Sequence, residues 1–316
     1  MNTPKNMRMP EKGASMLPLS VVIVTMNNKK YLQTCLSSLY SGELQAAFEV
    51  IIVDNGSTDG TQLMLREMFP EVQLLQHKVN VGLSRASNCG IAASRGRYVM
   101  LLNDDTVVDG SSIERMIDFL DAHSDAAAVG GRLLNPDGSL QAGYNYFPSL
   151  TEEFLIATRI GNMLQAGYPL REGNGEVRPV DWLGSACLLL RREALSEVGL
   201  LNEEYFIYGD EVDLQYRLRH AGWSIYYLPF SSTIHFGGRS MDRWRRRKMV
   251  YRGKMLFYRN NYGRLRSALL RLMFSGLTAS KLLAWIGAFT IPKLRDRARR
   301  ELRSNLDVLR LCRKLM

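Results

Sequence analysis

The apolar run Tyr98-Val99-Met100-Leu101-Leu102 stops at Asn103-Asp104-Asp105. An unpaired buried carboxylate is costly. Two in succession at the end of a strand therefore mark either a turn with a helix cap or a ligand site. In open α/β sheets ligands collect outside the carboxyl ends of the strands. Two carboxylates there suit a hard divalent cation, which typically carries substrate phosphates. A second acidic group, Tyr208-Gly209-Asp210-Glu211-Val212-Asp213, opens a helical pattern. Acids in a first helical turn complement the helix dipole. The sharper chemical reading is a general base, Asp210 or Glu211, taking the proton of an attacking hydroxyl. Asp213 would then support the helix start or bind an acceptor.

Three further groups carry weaker signals. Asp54-Asn55-Gly56-Ser57-Thr58-Asp59 follows the apolar run Phe48–Val53. A carboxylate accepts hydrogen bonds only, so Asp54 suits a uracil or thymine imide or ribose hydroxyls. The structural alternative is a helix cap. Asn80-Val81-Gly82-Leu83-Ser84-Arg85 offers a glycine that permits close backbone approach and an arginine suited to a diphosphate. The alternative is a plain loop with a solvated Arg85. His235, one of four histidines, is structural if it stands alone. Beside the carboxylate pair it could complete a metal site.

Strands alternating with helices must position these groups. Leu19–Thr25 is a continuous β-branched run, as in a strand buried on both faces. Leu32, Cys35, Leu36 and Leu39 have helical spacing, with Gly42 as the stop. Further strands are expected at Phe48–Val53, Val72–Gln76, Tyr98–Leu102, Ala126–Gly130, Trp182–Arg191 and Ser224–Leu228. Helices are expected near Thr61–Phe69, Ser84–Ser94, Ile113–Leu120, Glu152–Gln165 (capped by Ser149) and Asp210–Ala221. This alternation predicts an α/β fold with a mainly parallel sheet. Gly-x-Gly-x-x-Gly is absent after the first strand and no phosphate-loop motif is present, which argues against dinucleotide and nucleoside-triphosphate folds. Gly167–Pro179, rich in Gly, Pro and charge, is a candidate lid.

The chain of 316 residues carries 46% hydrophobic and 23% charged residues, as a globular protein does. Its four cysteines are widely spaced in apolar patterns, as reduced core thiols are. Residues 1–18 read as a polar tail without a signal-peptide core. The net charge of +10 is unevenly spread: residues 239–316 hold 22 of the 41 Lys/Arg and four of the 31 Asp/Glu. An acidic catalytic part at 19–238 and a basic helical region at 239–316 follow. Such a basic region seeks an anionic surface. Its longest uncharged run, Leu282–Pro292, is about half of what a spanning helix needs. The expectation is thus a helix lying in a membrane interface rather than crossing it, or else a basic subdomain packed on the acidic part. Nucleic acid binding, suggested by Arg interleaved with aromatics, leaves the acidic strand ends unexplained.

Taken in order, Val-Val-Ile-Val-Thr-x-Asn (21–27), Val-Asp-Asn-Gly-Ser-Thr-Asp-Gly-Thr (53–61), Asn-x-Gly (80–82), Leu-Leu-Asn-x-Asp-Thr (101–106), Trp-Leu-Gly-Ser-Ala (182–186), Tyr-Gly-Asp-Glu-Val-Asp-Leu (208–214) and His235 resemble family 2 glycosyltransferases of the GT-A fold over roughly residues 19–262. Members acting as rhamnosyltransferases on cell-surface polysaccharide are the most similar. The resemblance implies an inverting transfer of a sugar, with rhamnose from a dTDP donor as its best guess, to a glycan or lipid-linked acceptor on the inner face of the plasma membrane. It implies Mg²⁺ or Mn²⁺ held by Asp105, Asn103 and His235. Donor contacts would come from Thr25, Asn27, Asp54, Asn80, Gly82, Arg85 and Asp104. Acceptor contacts would come from Trp182 and Asp213. The family's base is usually the Asp of Glu-Asp; here the order is Asp210-Glu211, so Glu211 falls at the base position. That reversal keeps a catalytically silent, sugar-nucleotide-binding scaffold as the competing function. Met26, where the family often has Tyr, is a minor departure.

Overall fold

The computed structural model of the chain describes residues 17–41, 44–158, 160–163, 175–237 and 242–314. The strands are β1 (Leu19–Thr25), β2 (Phe48–Asp54), β3 (Gln73–Gln76), β4 (Tyr98–Asn103), β5 (Thr106–Val108), β6 (Ala126–Leu134), β7 (Leu140–Gln141), β8 (Tyr144–Asn145), β9 (Arg178–Pro179), β10 (Trp182–Leu183), β11 (Cys187–Arg191) and β12 (Ser224–His235). The helices are α1 (Lys29–Leu39), α2 (Thr61–Met68), α3 (Leu83–Ala93), α4 (Gly110–Ala122), α5 (Leu150–Thr158), α6 (Ile160–Met163), α7 (Arg192–Val198), α8 (Asp210–His220), α9 (Arg243–Phe257), α10 (Gly263–Phe289) and α11 (Arg295–Lys314).

The chain divides into two units. The first comprises the described residues of Met1–Tyr146, Pro169–Phe206 and Asp210–Gly237. Its main sheet runs β3-β2-β1-β4-β11-β6-β12-β5. β3, β2, β1 and β4 are mutually parallel, and β11 is antiparallel to both neighbours. Period-2 alternation explains why Val21–Val24 of β1 and Tyr98–Leu102 of β4 are apolar on both faces. Val21 and Ile23 join Tyr98, Met100 and Leu102 in the core shared with α1 and α4. Val22 joins Val99 and Leu101 in the opposite core, shared with α3 and α8. Fully burying each such side chain contributes about 1.5–3 kcal/mol. Gly90 lets α3 lie close on β1, since a Cβ there would sit 2.3 Å from Val22 Cγ1.

Register then aligns the chemistry. Thr25 faces Asp54 across β1 and β2, Val24 faces Asn103 across β1 and β4, and His235 faces Thr106 across β12 and β5. Several differences from the expected elements bear on the site. The run Trp182–Arg191 divides, with β10 pairing with β8 in a separate two-stranded sheet while β11 enters the main sheet. β12 does not stop at Leu228. Its pairing with β6 shifts register between Leu228 and Ser232, as suits Pro229, which has no N–H to donate. The strand then resumes and delivers His235. β5 and α7 had no sequence expectation. The cysteines are free, with Cys35, Cys187 and Cys312 buried. Residues 1–16 of the polar tail and most of the candidate lid lie outside the described residues; at the lid's end, Arg178–Pro179 pairs with β12.

The second unit comprises the described residues of Phe147–Tyr168, Ile207–Gly209 and Gly238–Met316. It therefore takes in two segments upstream of the basic region. Ser149 Oγ accepts from Glu152 N at 3.2 Å, the expected cap of α5. Asp242 caps α9, accepting from the backbone N–H groups of Trp244 and Arg245. α9 passes through a π-helical turn, Tyr258–Tyr262, into α10. α11 buries Ala298, Glu301, Ser304, Asn305, Val308 and Cys312 at helical spacing. Glu301 pairs with Arg247 at 2.8 Å, and Glu153 pairs with Lys254. The stretch Arg243–Phe289 holds an 18-residue window of mean hydropathy 1.4, 11% of it buried. By length and composition it is long and apolar enough to cross a membrane, contrary to the expectation from uncharged runs. One lysine leaves a helix apolar, and here the Lys281 ammonium bonds the Ala157 carbonyl at 2.8 Å.

Candidate active site

The carboxylates ending β4 separate in role. Asp104 accepts from Thr25 Oγ1 at 2.7 Å and from Asn28 Nδ2 at 2.9 Å. Burial pushes its carboxyl up to about 6. The two hydrogen bonds oppose that shift and the neighbouring charge of Asp105 adds to it. Asp105, buried, lies 3.2 Å from His235 Nε2. Asn103 Nδ2 is 3.3 Å from the same nitrogen.

Gln141 fixes the orientation of the His235 ring. Its amide nitrogen donates to Asn135 Oδ1 at 2.7 Å and to the His235 carbonyl. Its oxygen therefore faces His235 Nδ1, 2.9 Å away. This holds the ring with Nε2 toward the Asp105 carboxylate. Hydrogen bonding of the distal imidazole nitrogen is the usual support of a metal-binding histidine. Asp105, His235 and the Asn103 amide thus fit one divalent cation. Among the described residues no group of three or more His, Cys, Asp or Glu could hold a metal. Most positions of such a cation would fall to water and ligand oxygens, as is common for Mg²⁺.

A pocket enclosing about 370 Å³, including space open to solvent, is lined by Asn103, Ser185, Leu83, Leu201, Asp210 and Glu211 among others. The end of β4 and the start of α8 thus converge. Asp210 is buried, its Oδ1 has no hydrogen-bond partner, and burial raises its pKa. Glu211 is only half-buried. Asp213 does a different task. It accepts from Tyr205 Oη at 3.2 Å and Arg217 Nε at 3.1 Å, while Arg217 also holds the Val198 and Leu200 carbonyls. It therefore ties the loop before α8 to the helix.

The other expected contacts are placed as follows. Asp54 is buried and accepts from Ser57 N at 2.9 Å and from the Gln62 amide. Asn27, at φ +52°, joins the first two strand-end loops, donating its backbone N–H to Ser57 Oγ and accepting from Thr58 N. Asn80 Oδ1 accepts from Asn55 Nδ2 and Gly82 N. Gly82 permits close backbone approach as expected, but of the protein's own chain: a Cβ there would sit 2.8 Å from the Phe206 carbonyl. Arg85 lies 3.8 Å from Glu203, both partners exposed, so its partner here is a carboxylate. Trp182 donates to the Tyr146 carbonyl at 2.8 Å.

Sequence reasoning missed the amides Asn28, Gln62, Gln141 and Gln215. Fully buried Gln215 bonds both the N–H and the C=O of Leu183, and its amide also bonds the Glu211 carbonyl, docking β10 on α8. Neutral amides carry no spacing signature, and only the tertiary pairing reveals them.

Comparisons with known proteins address the family and the fold. A family model described as glycosyl transferase family 2 matches residues 20–199. An N-acetylglucosaminyl-diphospho-decaprenol L-rhamnosyltransferase of Mycobacterium tuberculosis is 33% identical over 241 residues, 71% of this chain and 78% of that protein. The low-salt glycan biosynthesis hexosyltransferase Agl10 of Haloferax volcanii is 25% identical over 248 residues, 77% of this chain and 74% of that one. Among solved structures, a mannosyltransferase from Pyrobaculum calidifontis in complex with GDP-Man and Mn²⁺ superposes with TM-score 0.56 at 15% identity, covering 95% of this chain and 87% of that one. S. aureus TarS (residues 1–349) gives 0.52 at 15% identity, covering 93% and 89%.

Proposed function

Because the chain belongs to glycosyl transferase family 2 and is a glycosyltransferase, we propose that it is a cation-dependent, inverting enzyme that moves a deoxyhexose, L-rhamnose, from a nucleoside diphosphate donor to a lipid-linked amino-sugar diphosphate. The observation that carries this is the meeting of the β4 end and the α8 start in one pocket, which sets Asn103 beside Asp210 and Glu211. The rhamnosyl donor and lipid-linked acceptor follow the name of the mycobacterial relative.

In this reading Glu211 is the base. It is half-buried and lines the pocket, so an acceptor hydroxyl can reach it. Asp210 is buried and its raised pKa favours holding a proton. The acceptor oxygen bonds to the anomeric carbon, the bond to the diphosphate oxygen breaks, and the hydroxyl proton passes to Glu211. One displacement inverts the anomeric centre. Asp105, His235 and Asn103 would hold the cation, which when bound would supply stabilisation for the negative charge of the departing diphosphate. Asp54 and the Asn27–Ser57 loops shape the base end of the donor site, and Trp182 borders the acceptor end.

Calorimetry with a panel of nucleotide sugars, with Mg²⁺ or Mn²⁺ and then with EDTA, tests this reading. One donor binding only with the cation is expected. If no donor binds under either condition, this reading fails; a donor that binds without being transferred would favour the scaffold reading.

The second unit, on the same proposal, docks on an anionic membrane where the acceptor resides. Leu265, Leu269, Leu272, Leu283 and Ile286 are exposed and fall on one face of α10, within a region of net charge +18. An apolar stripe with surrounding arginines suits an interfacial helix. Cosedimentation with phosphatidylglycerol vesicles should be strong at low salt and weaken in 0.5 M salt, as surface electrostatics do. Equal binding to phosphatidylcholine vesicles, or none to either, would remove this part.

A further inference from the structure

β10 is two residues long and stands outside the main sheet, yet it carries Trp182 and leads into the pocket. One edge pairs with β8, Trp182 with Asn145 and Leu183 with Tyr144. The opposite edge meets a side chain. Gln215 of α8 is fully buried. Its Oε1 accepts from Leu183 N at 2.8 Å. Its Nε2 donates to the Leu183 carbonyl at 2.8 Å and to the Glu211 carbonyl at 2.9 Å. The amide thus pairs with both main-chain groups of Leu183 as a neighbouring strand would. Its second N–H goes to the turn of α8 that bears Glu211.

Packing alone does not call for an amide here. Leu183, Leu214 and Leu218 already share one core. Apolar contact is non-directional, whereas a hydrogen bond fixes distance and angle. An apolar residue at 215 would leave the buried peptide groups of Leu183 unpaired, which is costly. The glutamine therefore sets the register of β10 against α8. The residues that follow are pinned as well. Gly184 N donates to the Gly143 carbonyl at 2.8 Å, and the Ala186 carbonyl accepts from Asn103 N at 2.9 Å. Between these two pins Ser185 lines the pocket together with Asp210 and Glu211.

We propose that Gln215 is a positioning residue for sugar transfer. Buried as it is, it touches no substrate. By holding Leu183 on one side and the Glu211 carbonyl on the other, it sets the spacing between residues 182–185 and the base. An acceptor resting against Trp182 and Ser185 is thereby presented to Glu211 at one separation. The inference rests on the proposed roles of Glu211 and Trp182.

Gln215→Met keeps the approximate size of the side chain and removes all three hydrogen bonds. Transfer is followed from dTDP-L-rhamnose to a short-chain prenyl diphosphate N-acetylglucosamine. Rates are expressed per nucleotide-binding site, counted by calorimetry with thymidine diphosphate and Mn²⁺. Because small misplacements lower turnover steeply, kcat should fall by about 10²-fold and the acceptor KM should rise, with thymidine diphosphate affinity within about twofold of wild type. A residue that serves the fold alone gives a lower melting temperature with kcat per binding site unchanged, and that result overturns the inference. So does a loss of nucleotide affinity as large as the loss in kcat. Should Gln215→Met not fold, Gln215→Glu decides. Its carboxyl still accepts from Leu183 N–H, but when ionised it has no hydrogen for the two carbonyls, and protonation restores one. Its kcat relative to wild type should be low at pH 8 and recover toward pH 5.5. A ratio that stays at one, or that does not change with pH, overturns the inference. Wild type in the same assay separates the two layers. Wild-type transfer with variants equal to it sinks this inference alone. A wild type that binds the nucleotide and transfers nothing sinks the base assignment and this inference with it.

Discussion

Glu211→Gln lowers kcat by about 10²–10⁴-fold and leaves donor binding intact. That range is what a positioned general base contributes and corresponds to about 3–5 kcal/mol of barrier. The amide keeps the size of the side chain and cannot take the acceptor proton. Donor affinity should survive because the proposed cation and nucleotide contacts lie at the ends of β1, β2, β4 and β12, not on α8. Asp210→Asn should cost less, since Asp210 is buried and its carboxyl oxygen Oδ1 meets no donor. The pair also predicts a pH profile. A base must be ionised, so kcat falls as pH drops through the titration of the Asp210-Glu211 pair. Burial raises Asp210, which moves that acidic limb above the ordinary carboxylate range. Asp210→Asn removes one of the two interacting carboxyls and should shift the limb to lower pH. Steady-state kinetics from pH 5 to 8 with calorimetry on each variant read both effects. A Glu211→Gln enzyme at wild-type turnover, beside an inactive Asp210→Asn, would transfer the base role to Asp210.

Much of this site was legible in the sequence because parallel strands announce themselves. β1, β2 and β4 each carry an apolar run, Val21–Val24, Val50–Val53 and Tyr98–Leu102, and the polar residue that ends each run marks the carboxyl edge of the sheet. The acids at 54, 104, 105, 210 and 211 were therefore visible as candidates. Their individual tasks were not. Asp104 and Asp105 are adjacent in the chain, yet one is engaged by Thr25 and Asn28 and the other faces His235. That division depends on β5 reversing direction immediately after Asp105 and on β12 outlasting Pro229, and no periodicity reports either. At Gly82 and Arg85 the structure adds partners that the sequence does not show: Phe206 fills the space the glycine leaves and Glu203 faces the arginine. The helical region shows the same limit. Its charge is plain from composition, whereas the recruitment of 147–168 and 207–209 into that unit depends on packing between residues far apart in sequence.

Asp105→Ala should abolish cation-dependent donor binding and reduce kcat/KM by about 10³-fold, the several kcal/mol that charge stabilisation by a bound cation supplies. On this proposal the described residues would offer the cation one carboxylate and one imidazole at this point, so a neighbouring acid is not expected to substitute. Asp104 is held back by Thr25 and Asn28. EDTA on wild type should reproduce the variant's loss, and EDTA on the variant should add nothing. Gln141→Ala is the graded companion. It leaves both metal-facing residues in place but removes the acceptor at His235 Nδ1, freeing the ring to change tautomer and orientation. Loss of such a supporting hydrogen bond typically weakens metal affinity by about 10–100-fold. The pH dependence has a definite sign. With its carboxyl near 6 when no cation is present, Asp104 becomes neutral as pH falls through that value, and the negative charge beside Asp105 is lost. Cation affinity should therefore weaken below about pH 6, and Asp104→Asn should flatten that dependence. Isothermal titration with Mn²⁺ and donor at pH 5.5 and 7.5 separates these outcomes. Donor binding by Asp105→Ala that is as tight as wild type and still sensitive to EDTA would place the cation elsewhere.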